Sequence, residues 1–186
     1  METVLLGWPS ESPTLRLDYR RFSYAGKFVM TYAGKAVIRD PGVERPGRTD
    51  FDDDVIAAAA FNEDRTDADC LWIRYVTVRR DRRGEGLGPR LCRFVSARGA
   101  KRDYARVRIA VNNPYAYQAL YRAGFTFTGE STGIAELVLE RPSGGPAADR
   151  SRETYQSGLE AYRRRELDDE EHAFLERKLE CAPPKP

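Results

Sequence analysis

Leu71-Trp72-Ile73-Arg74-Tyr75-Val76-Thr77-Val78-Arg79-Arg80-Asp81-Arg82-Arg83-Gly84-Glu85-Gly86-Leu87-Gly88-Pro89-Arg90-Leu91-Cys92-Arg93-Phe94-Val95 is the stretch around which the chain is organised. It reads as a strand, a basic glycine-rich turn and a helix. Leu71, Ile73 and Tyr75 alternate, and Val76 and Val78 continue with β-branched residues. Arg79 to Arg83 break the apolar pattern with charge. Gly84, Gly86 and Gly88 then remove the side chain from every second position. Leu87, Leu91, Phe94 and Val95 recur at helical spacing, with Pro89 near the start, where its missing N–H costs least.

Such a turn binds anions. Glycines let main-chain N–H groups converge on a ligand, and the following helix aims its positive end at the same place. Arg79, Arg80, Arg82 and Arg83 add formal charge, so a phosphate or pyrophosphate is the natural guest. The alternative is a tight strand-to-helix connection with solvated arginines, but three alternating glycines exceed what a plain turn requires. No Gly-Lys-Ser/Thr follows, which excludes the nucleotide P-loop. The Gly-x-Gly-x-Gly spacing also differs from the dinucleotide fingerprint.

Arg83-Gly84-Glu85-Gly86-Leu87-Gly88 after Val78 resembles the acetyl-CoA motif of the GCN5-related N-acetyltransferase (GNAT) superfamily. A second block supports the resemblance. Val107 to Val111 reads as a strand, Asn112-Asn113-Pro114 as a turn, and Tyr115 to Ala123 as a short helix closed by Gly124-Phe125. The family has Asn-x-x-Ala-x-x-Leu-Tyr-x-x-x-Gly-Phe here, and Asn113, Ala116, Gly124 and Phe125 match without a gap. The family tyrosine position falls on Leu120, and Tyr121 stands one residue later, ~100° round the helix.

The resemblance, over about residues 50 to 140, implies an α+β fold. A mixed, mostly antiparallel central sheet is flanked by helices, and the two central parallel strands splay to admit the pantetheine arm of acetyl-CoA. It assigns Val76, Thr77, Val78, Arg83, Gly84, Glu85, Gly86, Leu87, Gly88, Pro89 and Asn113 to the cofactor. A main-chain N–H near Val78 would meet the negative charge of acyl transfer. Tyr121 is the first candidate for the acid that protonates the leaving thiolate, Tyr117 the second, with Asn113 assisting. Both tyrosines are equally readable as helix packing residues, and Asn113 as a turn residue. A glutamate that the family often places before the glycine loop is replaced here by Arg74 and Tyr75, which are therefore assigned to the acceptor. Arg74 there binds an acidic group, or is simply an exposed strand-end arginine.

Working outward, residues 1–14 read as a loose lead-in, and Leu15, Leu17 and Tyr19 alternate like a strand. Residues 20–40 mix aromatics with glycines, and the resemblance puts one or two helices there as a wall of the acceptor site. Residues 40–50 are a loop by their Pro-Gly pairs. Asp52, Asp53 and Asp54 lack a calcium-loop pattern and read as a solvated loop end, so no metal site is expected. Val55 to Phe61 reads as a buried strand, although its four alanines also suit a helix. Phe125 to Thr128 and Ile134 to Leu139 read as the last two strands. These give a domain over 1–140, a linker over 141–150 and a charged helical tail over 151–186. The tail carries Tyr155, Leu159 and Tyr162 at i, i+4 and i+7. Its narrow stripes must pack on their own domain, on a partner, or on a second subunit in a homodimer.

Composition sets the limits. Charged residues make up 32% of 186, and the net charge is only +2, which disfavours a nucleic-acid partner. Cys70, Cys92 and Cys181 show neither metal spacing nor a framework of pairs, so a reducing, cytoplasmic setting is expected. No apolar run approaches a membrane span of ~18 residues. The sole histidine, His172, lies in the tail, so no Ser/His or Cys/His nucleophile can be assembled. Two functions follow. One is an acetyl-CoA-dependent N-acetyltransferase acting on a primary amine of a small molecule or protein. The other is an acetyl-CoA-binding module of the same fold that senses or assembles through its tail.

Overall fold

The computed structural model describes residues 1–43 and 51–186. Seven strands form one sheet: β1 (Glu2–Gly7), β2 (Gly34–Arg39), β3 (Val55–Glu63), β4 (Cys70–Val78), β5 (Arg106–Val111), β6 (Thr126–Ser131) and β7 (Leu137–Pro142). Their spatial order is β1-β2-β3-β4-β5-β7-β6. Every neighbouring pair is antiparallel except β4 and β5, which are parallel. Helix α1 (Leu87–Ala100) is the crossover between those two, as a parallel pair requires. Helix α2 (Pro114–Arg122) links β5 to β6, and α3 (Arg152–Arg163) and α4 (Asp169–Glu176) end the chain.

The four alanines of β3 are strand because both faces of the sheet are covered. Ala57 and Ala59 pack into a core with α1, α2 and α3, and Ala58 and Ala60 into a second core on the opposite face. All four are essentially inaccessible to solvent. Burial between two layers overrides the helical preference of alanine.

The N-terminal third departs from the sequence reading. Residues 2–7 are not a loose lead-in but edge strand β1, paired along β2 from Glu2↔Arg39 to Gly7↔Lys35. That takes the edge of β2, and Leu15 to Tyr19 has no ladder. Leu15 and Leu17 alternate because they bury themselves, with Phe22, Ala25, Phe28 and Ala33, over the second face. The helices expected within residues 20–40 are reduced to a single 3-10 turn, Ala25–Lys27, followed by β2. Lys35 holds this covering segment down. Its buried ammonium donates to the carbonyls of Pro13 (2.5 Å), Met30 (2.6 Å) and Ala33 (3.2 Å). A buried cation is tolerable only when its donors are satisfied in this way.

The loop expected at 40–50 lies largely outside the described residues. The three aspartates beside it are engaged separately. Asp52 accepts from the Arg16 main chain at 2.8 Å, Asp53 lies 3.7 Å from Arg21, and Asp54 lies 3.2 Å from Arg39. Among the described residues no group of three metal-ligating side chains comes together. No helix among them is long and apolar enough to cross a membrane.

The tail packs on its own domain. Residues 141–150 fold back: the Arg141 guanidinium donates to the carbonyls of Ala123 (2.6 Å) and Gly145 (3.1 Å), and the Ala147 N–H to Gly124 (2.8 Å). Tyr155, Leu159 and Tyr162 of α3, and Phe174 and Leu175 of α4, then join the same core as α1 and α2. The Tyr117 hydroxyl donates to the carbonyl of Tyr155 at 3.1 Å, and the two rings stack with centroids 5.7 Å apart. The Tyr162 hydroxyl donates to the carbonyl of Val111, at the end of β5, at 3.0 Å.

Two substitutions test this docking. A Cβ on Gly158 would stand 2.1 Å from the Tyr117 hydroxyl, inside a filled core. Gly158→Ala should therefore cost about 1–3 kcal/mol by overpacking, although alanine favours the helix. Tyr162→Phe should cost about 1–3 kcal/mol by leaving the buried Val111 carbonyl short of a donor. Denaturant unfolding measures both, and a wild-type midpoint for either variant contradicts the packing described.

Candidate active site

The parallel ladder between β4 and β5 is short. It runs from Cys70↔Arg106 to Ile73↔Ile109 and stops there, so Arg74 to Val78 continue without a partner on that side. On its other side β4 stays paired with β3. The Arg79 N–H donates to the Ile56 carbonyl at 2.9 Å, and the register from Ala57↔Val78 to Ala60↔Tyr75 is unbroken. Antiparallel ladders alternate, so Tyr75 and Thr77 turn their main-chain groups toward β3. Val76 and Val78 turn theirs the other way, into the gap. Thr77 adds a buried side-chain hydroxyl with no hydrogen-bond partner among the described residues.

The glycine loop closes one end of the gap. Gly84 and Gly86 have φ of 86° and 75°, left-handed values that a β-carbon would strain. Gly86 is also the N-cap of α1, and no side chain caps that helix, whose first N–H groups open toward the gap. The loop arginines divide by their partners. Arg79 is bound to Asp81 (2.7 Å) and Arg82 to Glu85 (2.6 Å). Arg80 leans on the carbonyl of Arg20 (3.2 Å). Arg83 meets only the Ser23 hydroxyl, at 2.9 Å, and has no carboxylate among the described residues. A helix N-terminus, two left-handed glycines and an unneutralised guanidinium together form a donor set suited to a phosphate.

Gap and loop belong to one cavity of about 830 Å³, within the usual range for a small-molecule site. It is lined by residues facing both sides of β4, so it passes through the sheet where the strands diverge. Val76, Thr77, Val78, Arg83, Gly84, Gly86, Leu87, Gly88, Pro89 and Asn113 all reach it, as do Arg74 and Tyr75. Glu85 does not, its carboxylate being taken by Arg82 at 2.6 and 2.8 Å. Asn113 is the N-cap of α2, its side-chain oxygen accepting from the Ala116 N–H at 2.8 Å. Its turn role therefore accounts for that oxygen.

The two tyrosines expected as acids are elsewhere. Tyr117 and Tyr121 are fully buried on the α2 face that meets α3, and neither lines the cavity. The Tyr121 hydroxyl accepts from the Phe127 N–H at 3.1 Å. Burial, and then the neighbouring Tyr121, push the Tyr117 phenol far above its usual range. The structure therefore does not bring either tyrosine to the cavity, and both take the helix-packing role instead. Leu120, at the family tyrosine position, does face the cavity. One residue of helical rotation separates the two outcomes.

The cavity also takes in residues that the sequence reading passed over: Ser23 and Tyr24 from the covering segment, Tyr115 and Arg122 from α2, and Glu136 and Glu171. The α2 set was legible in principle, since positions 115, 119 and 122 share a helical face. Glu136, in the turn before β7, and Glu171, in α4, carry no local signal and arrive through tertiary packing. Cys92 borders the cavity, but burial pushes its thiol up to about 12, so it is no nucleophile. His172 is exposed on α4 and does not line the cavity.

No curated protein sequence matches the chain. Solved structures do. A nourseothricin acetyltransferase is 20% identical with a TM-score of 0.48, the match covering 60% of this chain and 65% of that one. A GCN5-related N-acetyltransferase from Kribbella flavida is 21% identical with a TM-score of 0.46, covering 59% and 67%. An N-acetyltransferase from Staphylococcus aureus Mu50 is 14% identical with a TM-score of 0.48, covering 60% and 68%. The chain thus spans slightly less than two thirds of the nourseothricin acetyltransferase. Residues 9–125, well over half of the chain, match the family model described as the acetyltransferase (GNAT) family, and the chain belongs to that family.

Proposed function

We propose that this chain is an acetyl-CoA-dependent N-acetyltransferase that transfers the acetyl group to a primary amine. The observation that carries the reading is the continuity of a phosphate-binding loop with a cavity that passes through the sheet. A ligand with a phosphate at one end and a reactive group at the end of a long arm suits that shape. Acetyl-CoA, when bound, supplies an acyl group activated as a thioester.

The residues divide the work by position. Arg83 and the N–H groups at the start of α1 hold the pyrophosphate. The outward-turned main-chain groups of Val76 and Val78 pair with the amide arm, as a further strand would. The Val78 N–H is available to the negative charge that grows on the acyl oxygen. Tyr24, Tyr75 and Tyr115 are the phenols that reach the cavity, and they replace Tyr117 and Tyr121 as candidates for protonating the departing sulfur.

Attack by the acceptor is direct, with both substrates held together. His172 is exposed away from the cavity and burial disfavours the Cys92 thiolate, which supports direct attack over a histidine- or cysteine-borne acyl group. The amine nitrogen bonds to the acyl carbon, charge builds on the acyl oxygen, and the carbon–sulfur bond then breaks; the proton lost by the nitrogen balances the one gained by the sulfur, leaving an amide and the free thiol. The alternative, an acetyl-CoA-binding module that senses or assembles through its tail, draws on the absent strand carboxylate and on Tyr121, which is sealed in the core; the inner faces of α3 and α4 pack on their own domain. Three free cysteines are compatible with the reducing setting of the cytoplasm.

Calorimetric titration tests the reading. Wild-type protein should bind acetyl-CoA with micromolar affinity. Gly86→Glu, which puts a carboxylate at the helix start, and Arg83→Ala should each weaken binding by about tenfold or more, ~1.4 kcal/mol. A folded wild-type protein that binds neither acetyl-CoA nor CoA overturns the proposal.

A further inference from the structure

Resting on the transferase reading, the structure carries a second conclusion, about the acceptor. Arg74 occupies an irregular place in β4. Ala60 stands opposite Tyr75 and Phe61 opposite Ile73, so Arg74 is the extra residue of a bulge. A bulge re-aims a side chain, and this one lines the cavity.

Two contacts fix the Arg74 guanidinium there. Its Nε donates to Asn62 Oδ1 at 2.6 Å, and its Cζ lies over the Trp72 ring, 5.0 Å from the centroid. Both contacts leave the two terminal nitrogens free, and among the described residues Arg74 has no ion pair. The acid that acts on it most is Asp64, in the β3–β4 turn. Asp64 Oδ1 is already taken by the N–H and hydroxyl of Thr66, at 2.8 and 2.7 Å. An arginine braced through Nε and against an indole ring, with no partner on either terminal nitrogen among the described residues, presents the fork that a carboxylate fills with two parallel hydrogen bonds.

The surroundings point the same way. Tyr24 and Tyr75 stand beside Arg74 on the lining, with ring centroids 6.1 Å apart. Lys27, behind the lining, lies 5.9 Å from the Tyr75 ring. The carboxylates that line the cavity, Glu136 and Glu171, come from the side packed by the C-terminal helices: Glu171 is in α4, and Ala135, next to Glu136, accepts from Arg165. The Arg74 end is therefore cationic with an aromatic wall. It repels an acceptor whose only charge is its ammonium and attracts one that also carries an anion.

We propose that Arg74 binds a carboxylate of the acceptor, and that the acceptor is an amino acid or short peptide with a flat apolar side chain against Tyr24 and Tyr75. The same position that gives up the family's strand glutamate thus becomes a selectivity residue.

Matched pairs provide the test. Phenylalanine, tyrosine and tryptophan are compared with their decarboxylated amines, phenethylamine, tyramine and tryptamine, by kcat/KM for acetylation. The expected result is a preference of about tenfold or more for at least one amino acid over its amine. Arg74→Met should collapse that ratio mainly by raising KM for the amino acid, and Arg74→Lys should restore it in part. Equal or better use of the amines overturns the inference, as does an unchanged ratio in Arg74→Met. Wild-type protein that binds acetyl-CoA yet acetylates none of the three amino acids also overturns it and leaves the transferase reading standing. Failure to bind acetyl-CoA removes both.

Discussion

The pairing of β4 with β5 stops after Ile73 and Ile109, and the rest of the site depends on that stop. A strand pair that ran to Val78 would satisfy its own main chain and leave no passage through the sheet. Instead β4 stays anchored to β3, while the outward groups of Val76 and Val78 have no partner strand among the described residues. Unpaired main-chain groups in a largely buried sheet carry a cost unless water or a ligand satisfies them. The fold thus presents an edge at its centre rather than at its rim, and a ligand that brings its own amides can complete it.

The C-terminal helices brace the end of β5 where it leaves β4. Tyr162 of α3 reaches the Val111 carbonyl at the end of β5, and Arg165 reaches the Asn112 carbonyl at 3.4 Å and the carbonyl of Ala135. The ties to Val111 and Asn112 fall on the segment that leaves β4, and the tie to Ala135 on the turn before β7. On the other face, Lys35 fixes the 13–33 segment that carries Tyr24 to the cavity. The two supports come from opposite ends of the chain and lie on opposite sides of the sheet. The tail is therefore a working part of the site's architecture and not an appendage to it.

The glycine loop and the central strand were legible because their signals are local. Alternating glycines, a β-branched strand and an apolar helical stripe are each readable within a few residues. The N-terminal strand was misread because Leu15 and Leu17 alternate as a strand does, although they only cover one. Strand identity there is decided by which segment reaches the edge of β2 first, and that is a tertiary matter. The tyrosines show the same limit at finer scale. Tyr121 and Leu120 differ by one helical step, and only the arrival of α3 decides which of them is sealed in the core. The stripe of Tyr155, Leu159 and Tyr162 announced a buried face without saying what would bury it.

Amide hydrogen exchange, read residue by residue along β4 by NMR, tests the central claim most directly. In the free protein the Tyr75 and Thr77 amides should be protected by β3, while those of Val76 and Val78 should exchange faster. Saturation with acetyl-CoA should slow Val76 and Val78 and leave Tyr75 and Thr77 nearly unchanged. Uniform protection from Tyr75 to Val78 in the free protein, or no change at Val76 and Val78 on saturation, would contradict the account.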